Sequence, residues 1–580
     1  MPGFSIVSSS ASLDQDRIKH ALDRLLHFSN YNNRVIYKNE KACLASTGYE
    51  AYPIEIVDDG RYLVAIEGRI YNKNKETIVS DAKKIFADGA EASTLKDYDG
   101  EFLGIVLDRY QNRFCIYNDV LSRLPFYYFH EKGLFVASRE IKFIRELFPE
   151  LQIDRLALAE QLLFSTFLQT NTYFKGIKRL NPATILKYDE NLSIQHYHEF
   201  DFDVSDGQMS RAGAVRELSK AFLEGAENRL ADYQDQSVVV ALSDGFDSRT
   251  VLGALTHFRE DIQTITYQEH DKRRQEMVDT ARRVASYHDC HWREYALRPV
   301  DRSEIEHVVT LFDATVPSIA PFSQLLPYLK VTFGEDCIFF TGDEGDLILP
   351  PVPRYGKAKA CETIDELAEL IVENAHANAG AVFTFSEIEN LTGVSSTDVH
   401  ERIVNILSSY PEMNLIDKYI HFIIREIGFN WNFVREDRYR YYFWYTSLFW
   451  SPSFFRAAMA VPAKLKMRRK VYVPFMKAIG ACAEVPTDSY QFDWYSQVKR
   501  YFGQFEALKL VYKRLFGRKS SKTLQTRLDK MSQAKLEEFE SLFSDQEVFN
   551  SDSMSSILED SISKPQLERL FTTTHHLMTR

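Results

Sequence analysis

The segment Ser237–Ala254 constrains the fold more than any other part of this chain. It begins with the apolar run Val238–Leu242, which predicts a short strand buried on both faces. The small and acidic residues Ser243–Ser248 follow, and Val251 and Leu252 then mark the apolar face of a helix. A strand, a polar loop and a helix in this order present backbone N–H groups and a helix N-terminus to an anion. We therefore predict a parallel α/β fold with an anion-binding loop.

The side chains of this loop suit a nucleotide phosphate. Ser243 and Ser248 supply hydroxyl donors, and Asp247 can hold a divalent metal, the usual companion of nucleotide phosphates. The alternative is an ordinary strand-to-helix turn with capping residues, which the loop alone does not exclude.

A second acidic turn follows a buried strand further along the chain, in Cys337–Leu347. Its turn contains Gly342, Asp343 and Asp346. The simpler alternative is that these acids only solvate a turn and cap a helix.

Composition limits the class of protein. A length of 580 residues predicts two to four domains, and a hydrophobic content of 45% argues against disorder. The net charge of −12, from 70 basic and 82 acidic residues, disfavours a general nucleic-acid binder. The six cysteines are scattered without a Cys-x-x-Cys pair, which favours free thiols in a reducing compartment. Without a signal peptide or a membrane-spanning apolar run, we expect a soluble, cytoplasmic protein with no membrane partner.

The first two hundred residues are predicted to be β-rich, because short apolar runs alternate there with Asp-Gly, Gly and Asn turns. The predicted strands are Phe4–Val7, Arg34–Tyr37, Tyr62–Ile66, Phe102–Leu107, Arg113–Tyr117, Phe126–Phe129 and Leu134–Ala137.

Four segments in this region occur in the order of a known domain: Glu67–Asn72, Asp99–Phe102, Asn118–Tyr128 and Leu134–Lys142. Together they resemble the N-terminal glutamine amidotransferase domain of asparagine synthetases. The resemblance implies an α+β N-terminal β-sandwich of Ntn-hydrolase type. The alternative is an unrelated β-sandwich.

Two departures from that pattern bear on its activity. Glutaminase chemistry in the family uses an N-terminal cysteine whose own amine is the base, and here position 2 is Pro2. Glu67 replaces the asparagine that resembles an oxyanion donor, and a carboxylate there would repel the developing oxyanion. We therefore predict that this domain is a structural relic rather than a glutaminase, as in β-lactam synthetase-like enzymes.

The loop Ser243–Ser248 resembles the Ser-Gly-Gly-x-Asp-Ser pyrophosphate loop of the N-type ATP pyrophosphatases, within their asparagine synthetase and β-lactam synthetase branch. Asp244 departs by replacing the first glycine, so its side chain would crowd phosphate and its charge would repel it. The resemblance implies an α/β parallel-sheet domain of adenine nucleotide alpha hydrolase type with a helical C-terminal part, and ATP and Mg²⁺ as cofactors. The implied Mg²⁺ ligands are Asp247 and Asp346. The implied ATP-binding residues are Ser243, Asp244, Gly245, Phe246, Asp247, Ser248, Tyr267 and Gly342.

Three of the implied roles leave alternatives open. Tyr267 is placed to stack on adenine, although a tyrosine at a strand end is as often simple packing. Asp343 lies where the family varies with substrate, and is predicted to be catalytic by meeting an amine or orienting the acceptor. Lys470 is predicted to neutralise charge on the phosphate and the tetrahedral intermediate, but the basic cluster 464–470 leaves open which residue does so.

The segment Cys337–Leu347 resembles the family's S-G-(E/D)-G-x-D-E motif, with Gly342, Asp343 and Asp346 matching. Glu344 replaces a glycine of that motif and Leu347 replaces its final glutamate. Two matching motifs at a family-like separation are rarer than one, which favours a functional site.

The remaining segments complete the predicted organisation. Arg211–Leu230 is predicted to be an amphipathic helix, and Ala360–Met459 is predicted to be helical. For the aromatic run Tyr439–Trp450 we favour packing, with the wall of an acceptor pocket as the alternative. The predicted domains are an amidotransferase-like domain (1–205), an ATP-binding synthetase domain (206–518) and a helical, polar C-terminal tail (519–580).

By resemblance, the chain is an AMP-forming ligase that adenylates a small-molecule or peptide carboxylate and passes it to an amine. Because the glutaminase cysteine is missing, that amine would come from the substrate itself, a second substrate or free ammonia. Intramolecular cyclisation, as in β-lactam synthetases or lasso-peptide cyclases, is one option, and amidation of a sugar acid or amino acid is another. A pseudo-enzyme or partner-binding scaffold, or a thiolation or adenylyl-transfer enzyme, would also fit the departures. A homodimer or a biosynthetic partner protein stays open.

Overall fold

The computed structural model describes residues 1–87, 92–131, 133–189, 191–202, 209–269, 275–313, 321–350, 357–378 and 385–485. The predicted domain boundary at 205, the end of the predicted synthetase domain and the tail 519–580 lie outside these residues.

Two antiparallel sheets face each other in the N-terminal part. In the described chain up to residue 202 their strands are β1 (Gly3–Ser9), β2 (Asn32–Lys38), β3 (Ala42–Gly48), β4 (Ile54–Asp58), β5 (Tyr62–Ile70), β6 (Gly100–Asp108), β7 (Arg113–Asn118), β8 (Tyr127–Glu131), β9 (Leu134–Ser138), β10 (Lys178–Arg179), β11 (Thr184–Tyr188) and β12 (Leu192–His196). The first sheet has the order β10-β8-β9-β1-β3-β2, and the second has the order β12-β11-β7-β6-β5-β4.

Helices cover the outer faces of both sheets. The helices of this part, where it is described, are α1 (Gln15–Asp23), α2 (Lys75–Ala87), α3 (Ile141–Leu147) and α4 (Arg155–Phe164). Helix α2 packs on β5 and β6, whereas α3 packs on β8 and β9 with α1 beside it. Phe4 and Ile6 of the first sheet share one apolar core with Leu103 and Ile105 of the second. The layers are therefore helix, sheet, sheet and helix, which confirms the α+β sandwich predicted from the sequence.

All seven strands predicted from turn spacing are present, with ends that differ by at most four residues. Strands β3, β4 and β10–β12 and the four helices were not predicted. Strand β4 is an edge strand of five residues with no buried residue, so its apolar signal is short and weak.

A parallel sheet forms the second part of the fold. Its strands in the described residues are β13 (Val238–Ala241), β14 (Gln263–Glu269), β15 (His291–Leu297), β16 (Ile338–Phe340) and β17 (Trp444–Thr446), in the order β15-β14-β13-β16-β17. Every neighbouring pair is parallel. The central strand β13 is buried because both its faces are covered, as its unbroken valine run predicts. The predicted α/β domain is confirmed.

Helices surround this sheet. Those in the described residues are α5 (Arg211–Leu230), α6 (Phe246–Leu255), α7 (Gln275–Tyr287), α8 (Arg302–Leu311), α9 (Leu326–Phe333), α10 (Gly345–Ile348), α11 (Ile364–Asn378), α12 (Phe385–Thr392), α13 (Ser396–Ser409), α14 (Leu415–Phe422), α15 (Asn430–Glu436), α16 (Pro452–Met459), α17 (Ala463–Lys466) and α18 (Tyr472–Ala478). Helix α5 has the bounds predicted from its apolar face, and Ser210 caps it by accepting from the backbone N–H of Gly213.

The prediction of helix throughout Ala360–Met459 is wrong at one place. Trp444–Thr446 is the fifth strand of the parallel sheet, paired with β16. It lies inside an apolar run, and periodicity alone does not distinguish a short buried strand from a buried helix. The aromatic run Tyr439–Trp450 is buried throughout its length, and Tyr439 stacks on Tyr445 with ring centroids 4.6 Å apart. The packing interpretation of this run is therefore confirmed.

Buried ion pairs join the antiparallel and parallel parts. Arg123 lies between Glu101, on β6, and Glu436, on α15, with its Nη2 atom 2.7 Å from Glu436 Oε2. Arg229, on α5, also contacts Glu101 at 3.3 Å. Although burial alone would raise it, Arg123 and Arg229 hold the pKa of Glu101 at about 2. Removing one partner from such a network leaves an uncompensated buried charge, so the network fixes the two parts against each other.

Candidate active site

The two acidic turns meet because their strands are neighbours. Strands β13 and β16 run parallel with Val240 opposite Phe340, so both chains leave the sheet at the same edge. Helix α6 begins directly after the first turn, and α10 directly after the second. The backbone N–H of Asp346 donates to Oδ2 of Asp247 at 3.2 Å. The structure thus brings together the two predicted Mg²⁺ ligands, whose role stays a prediction.

Two glycines permit this close approach. A Cβ atom on Gly342 would lie 2.2 Å from the backbone nitrogen of Ser248, and one on Gly345 would lie 2.6 Å from Cγ of Asp247. Contacts below 3.0 Å are not tolerated by real side chains. Glycine is therefore required at both positions for the two turns to pack, which gives a physical reason for Gly342 in the motif.

The first turn is held by its serines. The two hydroxyl oxygens of Ser243 and Ser248 lie 3.0 Å apart, and the Ser248 hydroxyl accepts from the Ser243 backbone N–H at 3.1 Å. Gly245 is the N-cap of α6 and donates its N–H to the Ser243 hydroxyl. Phe246 is buried beneath the turn. This arrangement fixes the turn at a helix N-terminus, where the helix dipole favours an anion.

Asp247 has the surroundings of a cation ligand. The hydroxyl of Tyr472, on α18, donates to its Oδ1 atom. Desolvation, followed by the nearby charge of Asp346, raises the pKa of Asp247 to about 7, although the Tyr472 hydrogen bond lowers it. A divalent cation would offset this penalty, so the donor set fits Mg²⁺. In the described residues no group of three or more His, Cys, Asp and Glu side chains could form a protein-only metal site. Two carboxylates suit Mg²⁺, which commonly keeps water and phosphate ligands.

Asp244, the departure from the family loop, is buried rather than exposed at the mouth of the turn. The buried guanidinium of Arg249, one turn into α6, donates to the Asp244 backbone carbonyl at 2.8 Å. The two side chains also interact electrostatically, because Asp244 favours the charged form of Arg249. A protein cation therefore offsets the carboxylate that the sequence predicted to repel phosphate.

The second turn pairs with helix α15. Arg435 Nη2 lies 2.6 Å from Oδ2 of Asp343 and 3.9 Å from Oε1 of Glu344. Glu344 has a φ of 76°, a left-handed conformation that favours glycine, which is the residue it replaces in the motif. Desolvation raises the pKa of Glu344 to about 7 although Arg435 opposes the rise. The predicted catalytic Asp343 is thus charge-paired and oriented.

Tyr267 lies at the end of β14, near this turn. Its side chain is 36% exposed, and desolvation together with the Asp343 charge raises its pKa to about 12. An exposed aromatic face beside the loops is compatible with stacking on a base, which stays a prediction.

The basic cluster 464–470 contributes unequally to the site. Lys470, the predicted catalytic lysine, is exposed, and its backbone N–H closes a turn on Met467. Arg469 lies with its guanidinium carbon 4.5 Å from the centre of the Phe246 ring, and its charge lowers the pKa of Asp247. Lys466 is buried, which lowers its pKa to about 7. Within the described residues, Arg469 is thus the member of this cluster that packs against the first turn.

A hydrogen-bond chain links the N-terminal part to the second turn. Glu436, which Arg123 contacts, accepts from the Tyr445 hydroxyl at 3.4 Å. Tyr445 shares a 2.9 Å hydrogen bond with the Thr341 hydroxyl, which accepts from the Asp343 backbone N–H at 3.2 Å. The amidotransferase-like part therefore supports the turn that carries Asp343.

Glu67 is enclosed by donors in the N-terminal part. Its carboxylate accepts from Arg139 Nε at 2.7 Å, from the Tyr52 hydroxyl at 2.7 Å and from the Phe4 backbone N–H at 2.9 Å. Arg139 also pairs with Asp437 of the synthetase part. Desolvation raises the pKa of Glu67, with Arg139 opposing the rise. This ion pair lies in the segment that resembles the family's oxyanion donor. Its enclosure fits a structural rather than a catalytic role for the N-terminal part.

Four residues at the site were not predicted from the sequence: Arg249, Arg435, Arg469 and Tyr472. Only Arg469 carried a signal, because it belongs to the basic cluster. Tyr472 lies two residues after the end of that cluster, and Arg435 lies two residues before Asp437.

Comparisons with known proteins agree with this arrangement. The glutamine amidotransferase domain family matches residues 41–198, and the asparagine synthase family matches residues 217–393. None of the curated proteins compared with the sequence matches it.

Two solved structures are similar over 71% of this chain. One is glutamine phosphoribosylpyrophosphate (PRPP) amidotransferase from B. subtilis complexed with ADP and GMP, at 9% identity, a TM-score of 0.22 and 94% coverage of that chain. The other is described as the allosteric regulatory enzyme of purine biosynthesis, at 10% identity, a TM-score of 0.24 and 93% coverage. Both TM-scores are below the level that indicates a shared whole-chain fold.

The two matched domains, in this order and on this fold, define an ATP-dependent carbon–nitrogen ligase of asparagine synthetase type. The chain belongs to the asparagine synthetase-like family, with a glutamine amidotransferase-like N-terminal domain. In the described part of the chain, no helix combines the length and apolar character needed to cross a bilayer.

Proposed function

We propose that this ligase adenylates a substrate carboxylate, releases pyrophosphate and then transfers the acyl group to an amine with release of AMP. The observation that carries the proposal is the hydrogen bond between Asp346 and Asp247, which joins the two acidic turns at the head of α6. The turn Ser243–Ser248 would hold the phosphates of ATP, and Asp247 and Asp346 would hold Mg²⁺. When bound, Mg²⁺ supplies charge neutralisation for the phosphates.

The roles of the chain's own residues follow from position and charge. The α6 N-terminus and the serine hydroxyls would align the α-phosphate for attack by the carboxylate, which lowers the entropic part of the barrier. Arg469, beside Phe246, would neutralise charge on the leaving pyrophosphate, with Lys470 further out. Asp343, paired with Arg435, would orient the incoming amine.

The amine in this proposal does not come from a glutaminase site within the chain. The enclosed Glu67–Arg139 pair supports this part of the proposal, because a paired carboxylate cannot donate a hydrogen bond to an oxyanion. The acceptor amine would therefore belong to the substrate itself, as in a cyclisation, or to a second substrate or ammonia.

Substrate-dependent exchange of labelled pyrophosphate into ATP tests the proposal. A panel of amino acids, uronic acids and short peptides serves as carboxylates, with hydroxylamine as the trap for the activated acyl group. We expect exchange with at least one carboxylate, and a loss of at least 100-fold in Asp247→Asn and in Asp346→Asn. Asp261→Asn, which changes an exposed surface pair with Arg259, is the matched control.

Thermal stabilisation by Mg·ATP provides the second readout, because it does not depend on knowing the carboxylate. Stabilisation of the wild type but not of Asp247→Asn is the expected result. If Mg·ATP stabilises neither protein and no carboxylate supports exchange, the chain is a binding scaffold and the proposal fails. Exchange that survives in both aspartate variants would remove the metal assignment.

A further inference from the structure

A cavity lies between the two parts of the molecule, away from the acidic turns. Its enclosed space is about 20 Å³ and opens to solvent, and it is lined by the end of α4, the following loop, β10 and α15. Most of the polar side chains that line it are uncharged, among them Gln161, Thr166, Gln169, Asn171 and Asn430. A space of this size holds one or two water-sized groups, so it suits a single carboxylate group of a ligand whose remainder lies at the open mouth.

Among the described residues that line this cavity, Arg179 on β10 is the one with a positive charge. Arg179 is only 7% exposed, and its guanidinium donates to Oδ1 of Asn430, which is a neutral acceptor. The similarly buried Arg123, Arg139 and Arg229 each form ion pairs with carboxylates, whereas Arg179 has no carboxylate within ion-pair distance in the described residues. Burial lowers the pKa of Arg179 to about 10. A guanidinium that remains charged there benefits from an anion.

The charges around the cavity are mainly positive. Arg425 disfavours the charged form of Arg179, and Lys178 Nζ donates to Asn171 Oδ1 at 3.1 Å. Glu426 is the acid that favours the charge of Arg179, but its carboxylate accepts from the Gln169 backbone N–H and the Tyr410 hydroxyl. Glu160, the other acid near Asn171, is paired with Arg402 at 3.0 Å. An added anion would therefore meet a net positive field.

A second polar group in the cavity has no partner. The hydroxyl of Ser165 is buried without a hydrogen bond, on a residue that is 7% exposed. Ser165 and Gln169 also have positive φ values of 62° and 52°, in a conformation that costs free energy for residues other than glycine. A buried hydroxyl without a partner is unfavourable, and a bound ligand that hydrogen-bonds to it would remove that penalty.

We propose that this cavity binds the carboxylate of a small organic acid, with Arg179 as its charge partner and Ser165 as a hydroxyl donor. Planar guanidinium and carboxylate groups match in geometry. The amide side chains of Gln161 and Gln169 would hydrogen-bond polar groups elsewhere on the acid. Trp431 supplies an apolar wall.

The cavity adjoins the candidate active site through one helix. Trp431, in the cavity wall, and Arg435, paired with Asp343, both lie on α15, and the Arg435 guanidinium carbon is 4.6 Å from the centre of a Trp431 ring. A ligand in the cavity would therefore contact Trp431, which Arg435 also contacts. The binding proposal itself does not depend on adenylation activity.

Matched carboxylate and amide probes test the charge requirement on the full-length protein. The pairs are acetate and acetamide, L-lactate and lactamide, and succinate and succinamide, followed by isothermal titration and by tryptophan fluorescence. We expect at least one acid to bind with one site per chain, at least tenfold tighter than its amide. Arg179→Gln should weaken that binding at least tenfold, and Ser165→Ala by about threefold. Arg216→Gln, on an exposed face of α5, is the control and should bind normally.

Two further variants make the result of this binding test unambiguous. Arg179→Lys retains the charge, so it should still prefer acid to amide even if Arg179→Gln does not fold. Asp247→Asn should bind the acid normally, which separates this cavity from the ATP site. The proposal is overturned if no acid binds better than its amide, or if folded Arg179→Gln binds the acid as tightly as the wild type.

Discussion

Tyr472 donates its hydroxyl hydrogen to Oδ1 of Asp247, while the backbone N–H of Asp346 donates to Oδ2 of the same carboxylate. Three distant segments of the chain therefore converge on one aspartate. Both hydrogen bonds favour the ionised form of Asp247, against desolvation and the charge of Asp346.

Tyr472→Phe should move the pH dependence of exchange. The folded pKa of Asp247 is about 7, and loss of the Tyr472 hydrogen bond raises it further. Since the ionised form would hold Mg²⁺, activity should rise with pH and the rising limb should shift to higher pH in the variant. A hydrogen bond of about 1 kcal/mol corresponds to a shift of about 0.7 pH units. The measurement is kcat/KM for exchange between pH 5.5 and 9, with Tyr188→Phe on β11 as control. An unshifted limb would contradict the role of Tyr472.

Arg435→Gln should separate the two chemical steps. Arg435 neutralises and orients Asp343, which is proposed to meet the amine, and it does not contact Asp247 in the described structure. Pyrophosphate exchange should stay within about threefold of wild type, whereas amide formation should fall by about tenfold or more, the effect expected when a positioned catalytic group is lost. Both rates are measured on one carboxylate, with Arg298→Gln, which breaks an exposed pair with Glu304, as the control. Equal losses in both steps would place Arg435 in adenylation instead.

Arg123→Met should destabilise the whole molecule. The change leaves Glu101 and Glu436 buried without their shared partner. Breaking a buried ion pair from one side costs about 3–5 kcal/mol. Urea denaturation measures the free energy of unfolding, and Arg216→Met, which removes an exposed arginine, should stay within about 0.5 kcal/mol of wild type. A loss below 1 kcal/mol in Arg123→Met would show that the two parts do not depend on this network.

Lys466→Met should change how stability varies with pH. Burial lowers the pKa of Lys466 in the folded protein to about 7, from its usual 10.5. Between these two values the unfolded chain binds a proton that the folded chain does not, so this lysine makes stability rise with pH, by at most about 1.4 kcal/mol per unit. Below pH 7 the full destabilisation that the buried Lys466 causes is present. The variant should therefore gain most over wild type near pH 7 and little near pH 10, as measured by urea denaturation. A constant difference across that range would contradict the assignment.

The sequence predicted the parts of the site that lie next to strand ends. The turns with Asp247 and Asp346 follow strongly apolar runs, and parallel neighbours must bring such turns to one edge. Tyr472, Arg435 and Arg249 could not be assigned, because their roles depend on how helices α18, α15 and α6 pack. Strand β17 was missed because three residues within an aromatic run carry no distinct periodicity. The burial of Asp244 and the hydrogen bond from Arg249 to its backbone carbonyl were also unpredictable, since both depend on tertiary packing.

The enclosed pair of Glu67 and Arg139 has a consequence for how this lineage can change. Replacing Glu67 alone by an amide removes one of the two carboxylates that pair with Arg139, whereas replacing Arg139 alone leaves the buried carboxylate of Glu67 without its charge partner. The second step would cost about 3–5 kcal/mol, a large share of the stability of a typical domain. Glutamine hydrolysis in this domain would thus need coordinated substitutions around Glu67 and Arg139 in addition to a nucleophile.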